Sequence, residues 1–244
     1  MIKGVFFDVG GTLYSYNQYP AVMEFVCQQV ALRFSLSNSV SELLGELLIA
    51  TKKADRQLAM EPFYLFEHYF ETICRGFLSA VTTTPNADDV IWCKTVMEQT
   101  LLNSLELKPD CHETLTSIKA LGLYTSVVSN SDIHQLDTLI KRNHLAQYFD
   151  HITSSEAAQA CKPDRRFFEL ALDKSGLQAH EVLFVGDSVE QDIAGAKAVG
   201  LATVLIVEEG MITPMHVGGT EVDADYTITS LTELLSLLPE QPNA

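Results

Sequence analysis

Three aspartates, a serine-asparagine pair and one lysine stand where short apolar runs give way to polar residues, and these junctions are where the chain could do chemistry. In VFFDVGGTL an apolar run delivers Asp8, followed by Val9, Gly10, Gly11 and Thr12. A carboxylate at such a strand end lies at the carboxyl edge of a parallel sheet, where open α/β folds bind ligands, and the glycines let the backbone turn sharply and approach a small anion. In VVSNSD another apolar run ends in Ser129 and Asn130, whose hydroxyl and amide groups can donate hydrogen bonds to phosphoryl oxygens. CKPDRRFF sets Lys162 directly before Pro163 and a helix start; proline keeps the lysine's backbone out of helical geometry, so its side chain can be aimed into a site. VLFVGDSVEQD supplies Asp187 and then Asp192, in the first turn of a helix that Ser188 can cap.

Each piece alone has an ordinary reading, as a turn aspartate, a polar loop or a surface lysine. Placed together at the carboxyl edge of one sheet, Asp8, Asp187 and Asp192 with Lys162 leave a surplus of two negative charges, which would raise the carboxyl pKa values and destabilise the site. A divalent cation removes the conflict. Oxygen donors with no His or Cys favour a hard ion, Mg²⁺ first, and an ion held this way also engages substrate phosphate.

The elements that must position these residues follow from the apolar pattern. Val5 to Phe7, Tyr124 to Ser129, Val182 to Gly186, Thr203 to Val207 and Tyr226 to Ile228 have the length and composition of buried strands. From Cys111 onward they alternate with helical patterns, which predicts an α/β fold with a parallel sheet covered on both faces. Asp110 and Glu113 resemble a capping box, Asp164 can cap the helix that ends near Gly176, and Ile193 to Val199 gives a third crossover helix. Between about Tyr19 and Leu105 the periodicity is helical throughout. Pro20 starts one helix, and Ser39 to Leu58, Pro62 to Ala80 and Asp88 to Asn103 give others, with a loop at residues 82–86. The tail after Pro239 (EQPNA) is expected to be disordered.

Composition limits the function classes. The 244 residues are 47% hydrophobic and 20% charged, ordinary globular usage, and no run is long enough to cross a bilayer or shaped like a signal peptide, so a cytoplasmic protein is expected. A net charge of -16 disfavours nucleic acid as a partner. Cys27, Cys74, Cys93, Cys111 and Cys161 lack metal-ligand spacing and read as reduced thiols.

DVGGTL, VVSN, KPD and GDSVEQD occur in the order of the four motifs of the haloacid dehalogenase superfamily, and the chain resembles a capped member of it. The resemblance covers roughly residues 1 to 15 and 105 to 235. It implies a Rossmann-like three-layer core (1–15 and 105–244) and an inserted all-helical cap of the C1 type (16–104). It also implies that Asp8 attacks a phosphoryl group to form an aspartyl-phosphate, that Ser129, Asn130 and Lys162 hold the phosphoryl oxygens, and that Asp8, the Gly10 carbonyl and Asp187 bind Mg²⁺, with Asp192 acting through water.

The chain departs from the family at Gly10, where most phosphatases of this kind carry a second aspartate that protonates the leaving group and later activates water. General acid-base catalysis is worth ~10²–10⁴-fold, so the loss is serious without being fatal. The expectations that follow are a substrate with a good leaving group, an acid from the insert such as Asp55, Glu67 or His68, or phosphonoacetaldehyde-type chemistry through Lys52 or Lys53. A non-catalytic phospho-ligand or partner binder is the reading from another class. If no other group activates water, the aspartyl-phosphate should outlive that of relatives. Gly10→Asp is expected to raise turnover of alkyl phosphates, measured as phosphate release, unless the cap already fills that space.

Overall fold

The computed structural model describes residues 1–208 and 221–239; the EQPNA tail lies outside them. The chain forms two compact units, Met1–Tyr16 with Glu106–Ala244, and Asn17–Leu105. In chain order, β1 (Gly4–Phe7) and the two-residue β2 (Tyr14–Ser15) come first. Four helices follow: α1 (Tyr19–Phe34), α2 (Val40–Leu58), α3 (Phe66–Val81) and α4 (Ala87–Ser104). Next come β3 (Glu106–Leu107), α5 (Cys111–Ala120), β4 (Tyr124–Ser129), α6 (Ile133–Arg142), β5 (His151–Ser154), α7 (Ser155–Ala158) and α8 (Arg165–Ser175). β6 (Val182–Gly186), α9 (Ala194–Ala198), β7 (Ala202–Ile206) and β8 (Tyr226–Ile228) complete the order.

The first unit is built on a six-stranded parallel sheet in the order β5-β4-β1-β6-β7-β8. All four residues of β1 and all five of β6 are buried, as strands covered on both faces must be. On one face Phe167, Phe168 and Ala171 of α8 pack with Phe6, Val182 and Phe184 of the strands, and the Phe168 and Phe184 rings meet edge to face at 5.2 Å. Gly195 of α9 makes this packing possible, because a Cβ there would lie 2.4 Å from the Phe168 ring.

Strand order decides where chemistry can occur. From β1 the chain reaches β4 and β5 on one side, then crosses back to β6 on the other, so the direction of winding reverses beside β1. A crevice opens at the carboxyl ends of strands at such a reversal. Register aligns Phe7 with Val127 of β4 and Val185 of β6, which brings Asp8 and Asp187, just past their strand ends, and Ser129, the last residue of β4, to one edge.

The second unit is all helical. Ser39 and Glu42 form a capping box on α2, Asn86 and Asp89 form one on α4, and Pro20 sits in the first turn of α1. The α3 helix starts at Phe66, later than the expected Pro62. Within this unit Tyr64, Phe66 and Tyr69 form an aromatic cluster with centroids 5.7 to 6.3 Å apart.

One local expectation needs correction. Asp110 does not close a capping box on α5, because its carboxylate accepts instead from the backbone N–H of Thr232 at 3.0 Å. The strand β5 and the helix α6 were not expected; β5 is four residues long and carries His, Thr and Ser, too polar and too short for an apolar-run criterion. All five cysteines are buried and free. Among the described residues no helix is long and apolar enough to cross a membrane.

Candidate active site

Asp8 follows β1, and its backbone N–H donates to the Val185 carbonyl at 2.9 Å, which ties the end of β1 to β6. Asp187 follows β6. A tight turn from Gly10 to Leu13 begins beside it, and Gly11 has φ +75°, a conformation that glycine adopts without steric cost. Gly11 also supplies clearance: a Cβ there would lie 2.0 Å from an Asp187 carboxylate oxygen. Asp192 occupies a widened helical turn, Val189–Ile193, capped by the Ser188 hydroxyl, which accepts from Gln191 N–H at 3.2 Å. A Cβ at Gly186 would lie 2.4 Å from Asp192 Cβ, so this glycine too is a space kept open for a carboxylate.

Lys162 reaches the same place from the loop before α8, across a cis Lys162–Pro163 bond. Its ammonium, 4% exposed as a residue, donates to Asp8 Oδ1 and to Asp192 Oδ1, each at 2.6 Å. Asp192 Oδ2 accepts from Ser188 N–H at 3.0 Å. Asn130 fixes the lysine's backbone from both sides: Lys162 N–H donates to Asn130 Oδ1 at 2.7 Å, and Asn130 Nδ2 donates to the Lys162 carbonyl at 3.1 Å and to Gln191 Oε1 at 3.2 Å. The side chain of Asn130 is thereby committed to aiming Lys162. Ser129 is buried at the end of β4.

The electrostatics are those of a crowded anionic site. Burial alone disfavours the Lys162 ammonium, but Asp192 and Asp8 outweigh it and hold its pKa above the ordinary lysine value. Burial pushes the Asp192 carboxyl up to about 6, against the pull of Lys162 and with the push of Asp8. One carboxylate oxygen each from Asp8, Asp187 and Asp192 lies within 4.8 Å of the others. An all-oxygen set this tight, with one ammonium against three carboxylates, fits a small hard dication.

Among the other residues singled out from sequence, Asp55 is buried within the helical unit, accepts from the Tyr69 hydroxyl at 2.9 Å, and has its pKa raised by that burial. Glu67 pairs with Lys94 in the same unit, and His68, Lys52 and Lys53 are exposed. The space beside Gly10 is filled, though by a residue of the sheet-bearing unit and not of the insert: a Cβ on Gly10 would lie 2.1 Å from the Tyr16 hydroxyl oxygen. Sequence reasoning missed Tyr16, since nothing in its spacing from Gly10 announces that the turn folds one over the other.

A crevice at a winding reversal, lined by an aspartate after the first strand, a lysine before a helix and a paired acid loop, defines a class, and comparison with known proteins agrees. The family model of the haloacid dehalogenase-like hydrolases matches residues 2–200, and the chain belongs to that enzyme family. It is 28% identical over 241 residues to a glyceraldehyde 3-phosphate phosphatase of Methanocaldococcus jannaschii, covering 98% of this chain and 97% of the other. It is 32% identical over 248 residues to a ribulose-1,5-bisphosphate 5-phosphatase of Halopiger xanaduensis, covering 98% and 100%. The fold is shared with the magnesium-bound hydrolase YfnB of Bacillus subtilis, at a TM-score of 0.75, 17% identity and coverage of 97% and 98%.

Two outcomes are expected from the charge balance. Lys162→Met leaves Asp8 and Asp192 without their shared cation and should destabilise the chelator-treated protein by about 3–5 kcal/mol in urea unfolding. The second concerns pH. The Asp192 pKa is about 6 when folded against an ordinary value of 3.8, so the folded state holds the extra proton between these values. Stability contributed by this group is therefore present at low pH and falls as pH rises from about 4 to about 6, by on the order of 3 kcal/mol. Asp192→Asn should remove that component, seen as a flatter dependence of unfolding free energy on pH.

Proposed function

We propose that this hydrolase is a Mg²⁺-dependent phosphatase of small phosphorylated metabolites, working through an aspartyl-phosphate on Asp8. The observation that carries the reading is the placement of Lys162, buried between Asp8 and Asp192 with Asp187 close by. A carboxylate cannot approach a phosphate dianion unaided, because like charges repel strongly where water is excluded. Lys162, aimed by Asn130, offsets that repulsion and, with the Ser129 hydroxyl, holds the phosphoryl oxygens as the charge redistributes. Asp8, the Gly10 carbonyl and Asp187 would hold Mg²⁺, with Asp192 supporting through water, and the ion would supply charge neutralisation between nucleophile and phosphate.

In this mechanism an Asp8 carboxylate oxygen bonds to phosphorus as the bond from phosphorus to the leaving oxygen breaks. Water then bonds to phosphorus as the bond from phosphorus to the Asp8 oxygen breaks, releasing inorganic phosphate and the free carboxylate. Phosphorylated trioses and pentoses are the substrates to try first, because the whole-chain relatives are named for them. The helical unit, residues 17–105, acts in this reading as the cap that selects among them.

Asp8→Asn should abolish Mg²⁺-dependent phosphate release from para-nitrophenyl phosphate, at least 10³-fold, while leaving the fold intact by circular dichroism. Rapid acid quench of the wild type with a labelled substrate should trap one acid-stable, base-labile phosphoryl group per chain, absent in the variant. Release by both proteins no greater than the background without protein would favour a binder over a catalyst.

A further inference from the structure

Position 10 carries no side chain, yet the volume that its side chain would enter is occupied by a functional group. The Tyr16 hydroxyl lies 2.1 Å, and Tyr16 Cζ 2.8 Å, from where a Cβ on Gly10 would stand. The glycine is therefore a condition for the tyrosine being there: any side chain at position 10 would have to displace the phenol.

The chain leading into Tyr16 is held on several sides. Leu13 and Tyr14 both donate their N–H groups to the Val9 carbonyl at 2.9 Å, closing the turn that folds the chain back over Gly10. Gly10 and Tyr14 form a β-bridge, and β2 pairs antiparallel with β3, Tyr14 opposite Leu107 and Ser15 opposite Glu106. Tyr14 is anchored at its far end, donating to the Leu139 carbonyl at 2.6 Å and accepting from Asn143 Nδ2 at 2.8 Å. Ser15 is hydrogen-bonded to Glu208. Every residue of this scaffold, and Tyr16 itself, belongs to the sheet-bearing unit that also carries Asp8.

We infer that Tyr16 is a catalytic residue of this enzyme, its hydroxyl serving the leaving oxygen and the attacking water from the place that Gly10 leaves open. The inference rests on the phosphatase reading and deepens it. A phenol is a hydrogen-bond donor and acceptor, and tyrosine is among the side chains that serve as general acids and bases. In the first half-reaction the bond from phosphorus to the leaving oxygen breaks, Asp8 oxygen bonds to phosphorus, and the phenol proton passes to the leaving oxygen. In the second, water bonds to phosphorus, the bond from phosphorus to the Asp8 oxygen breaks, and the water's proton returns to the phenolate. One ester and one water are consumed, and one alcohol and one phosphate are formed.

The test compares kcat/KM for glycerol 1-phosphate, whose alkoxide must be protonated, with that for para-nitrophenyl phosphate, whose leaving group needs no proton. Tyr16→Phe keeps the ring and removes the hydroxyl. It should lower the glycerol phosphate value ~10²-fold relative to the aryl value and lengthen the lifetime of the quenched phosphoenzyme. Adding Gly10→Asp to Tyr16→Ala, which vacates the space, should recover most of the alkyl activity, whereas Gly10→Asp alone should not exceed the wild type. An unchanged alkyl-to-aryl ratio in Tyr16→Phe, or an equal fall on both substrates, would overturn the role of Tyr16. Asp8→Asn run beside it separates the two readings: if Asp8→Asn matches the wild type on the aryl substrate, the phosphatase reading itself fails.

Discussion

The site depends on one buried ammonium. Lys162 holds two carboxylates that would otherwise repel each other at the edge of an apolar sheet, and both contacts are short and shielded from water. Buried charges of this kind are costly unless paired and hydrogen-bonded on every side, and much of the local architecture reads as the means of meeting that condition. The Asn130 amide grips the lysine's backbone, Ser188 N–H takes the second oxygen of Asp192, and Gly186 keeps room for that aspartate beneath the strand end. Burial at the strand end, with Asp8 close by, is what raises the pKa of Asp192. Three carboxylate oxygens gathered within 4.8 Å of one another could hold a cation.

Strand order explains why these groups can meet although they lie far apart in the chain. Asp8 and Asp187 follow adjacent strands on either side of the point where winding reverses, and Ser129 ends the strand on the other side of β1. Parallel pairing sets all three strand ends at one level, so carboxylates 179 positions apart need no long side chain to reach each other. Lysine is the exception. It comes from a loop before a helix, and its four-carbon stem spans the distance that register does not.

Much of this was legible in the sequence because it is written in local signals. Apolar runs marked β1, β4 and β6, and the motif residues stand at their ends, where a strand cannot continue. The α2 and α4 helices were legible from the helical periodicity of Ser39 to Leu58 and of Asp88 to Asn103 beyond the loop at residues 82–86, whereas the capping boxes that start them came only with the structure. What stayed hidden was written in tertiary contacts. The carboxyl of Asp110 went to Thr232, 122 residues away, a partner that no local capping rule can see. The strand β5 is polar and four residues long, and it is a strand because β4 offers it an edge. Tyr16 carries no sequence mark at all.

The glycine at position 10 shows why an absent side chain is a poor guide to an absent function. Read along the chain, the residue is a deletion: the motif has lost an acid and nothing nearby has gained one. Read in space, the same glycine is, among the described residues, one of three positions near the carboxyl end of the sheet where the lack of a Cβ admits another residue's polar group, Tyr16 at Gly10, Asp187 at Gly11 and Asp192 at Gly186. In the latter two cases the admitted group is a carboxylate of the site itself. Steric exclusion couples each glycine to its guest, so substitution at either member of a pair is felt at the other. A motif that fixes residue types by position in the chain cannot register such an exchange, because the volume is conserved while the residue that fills it changes.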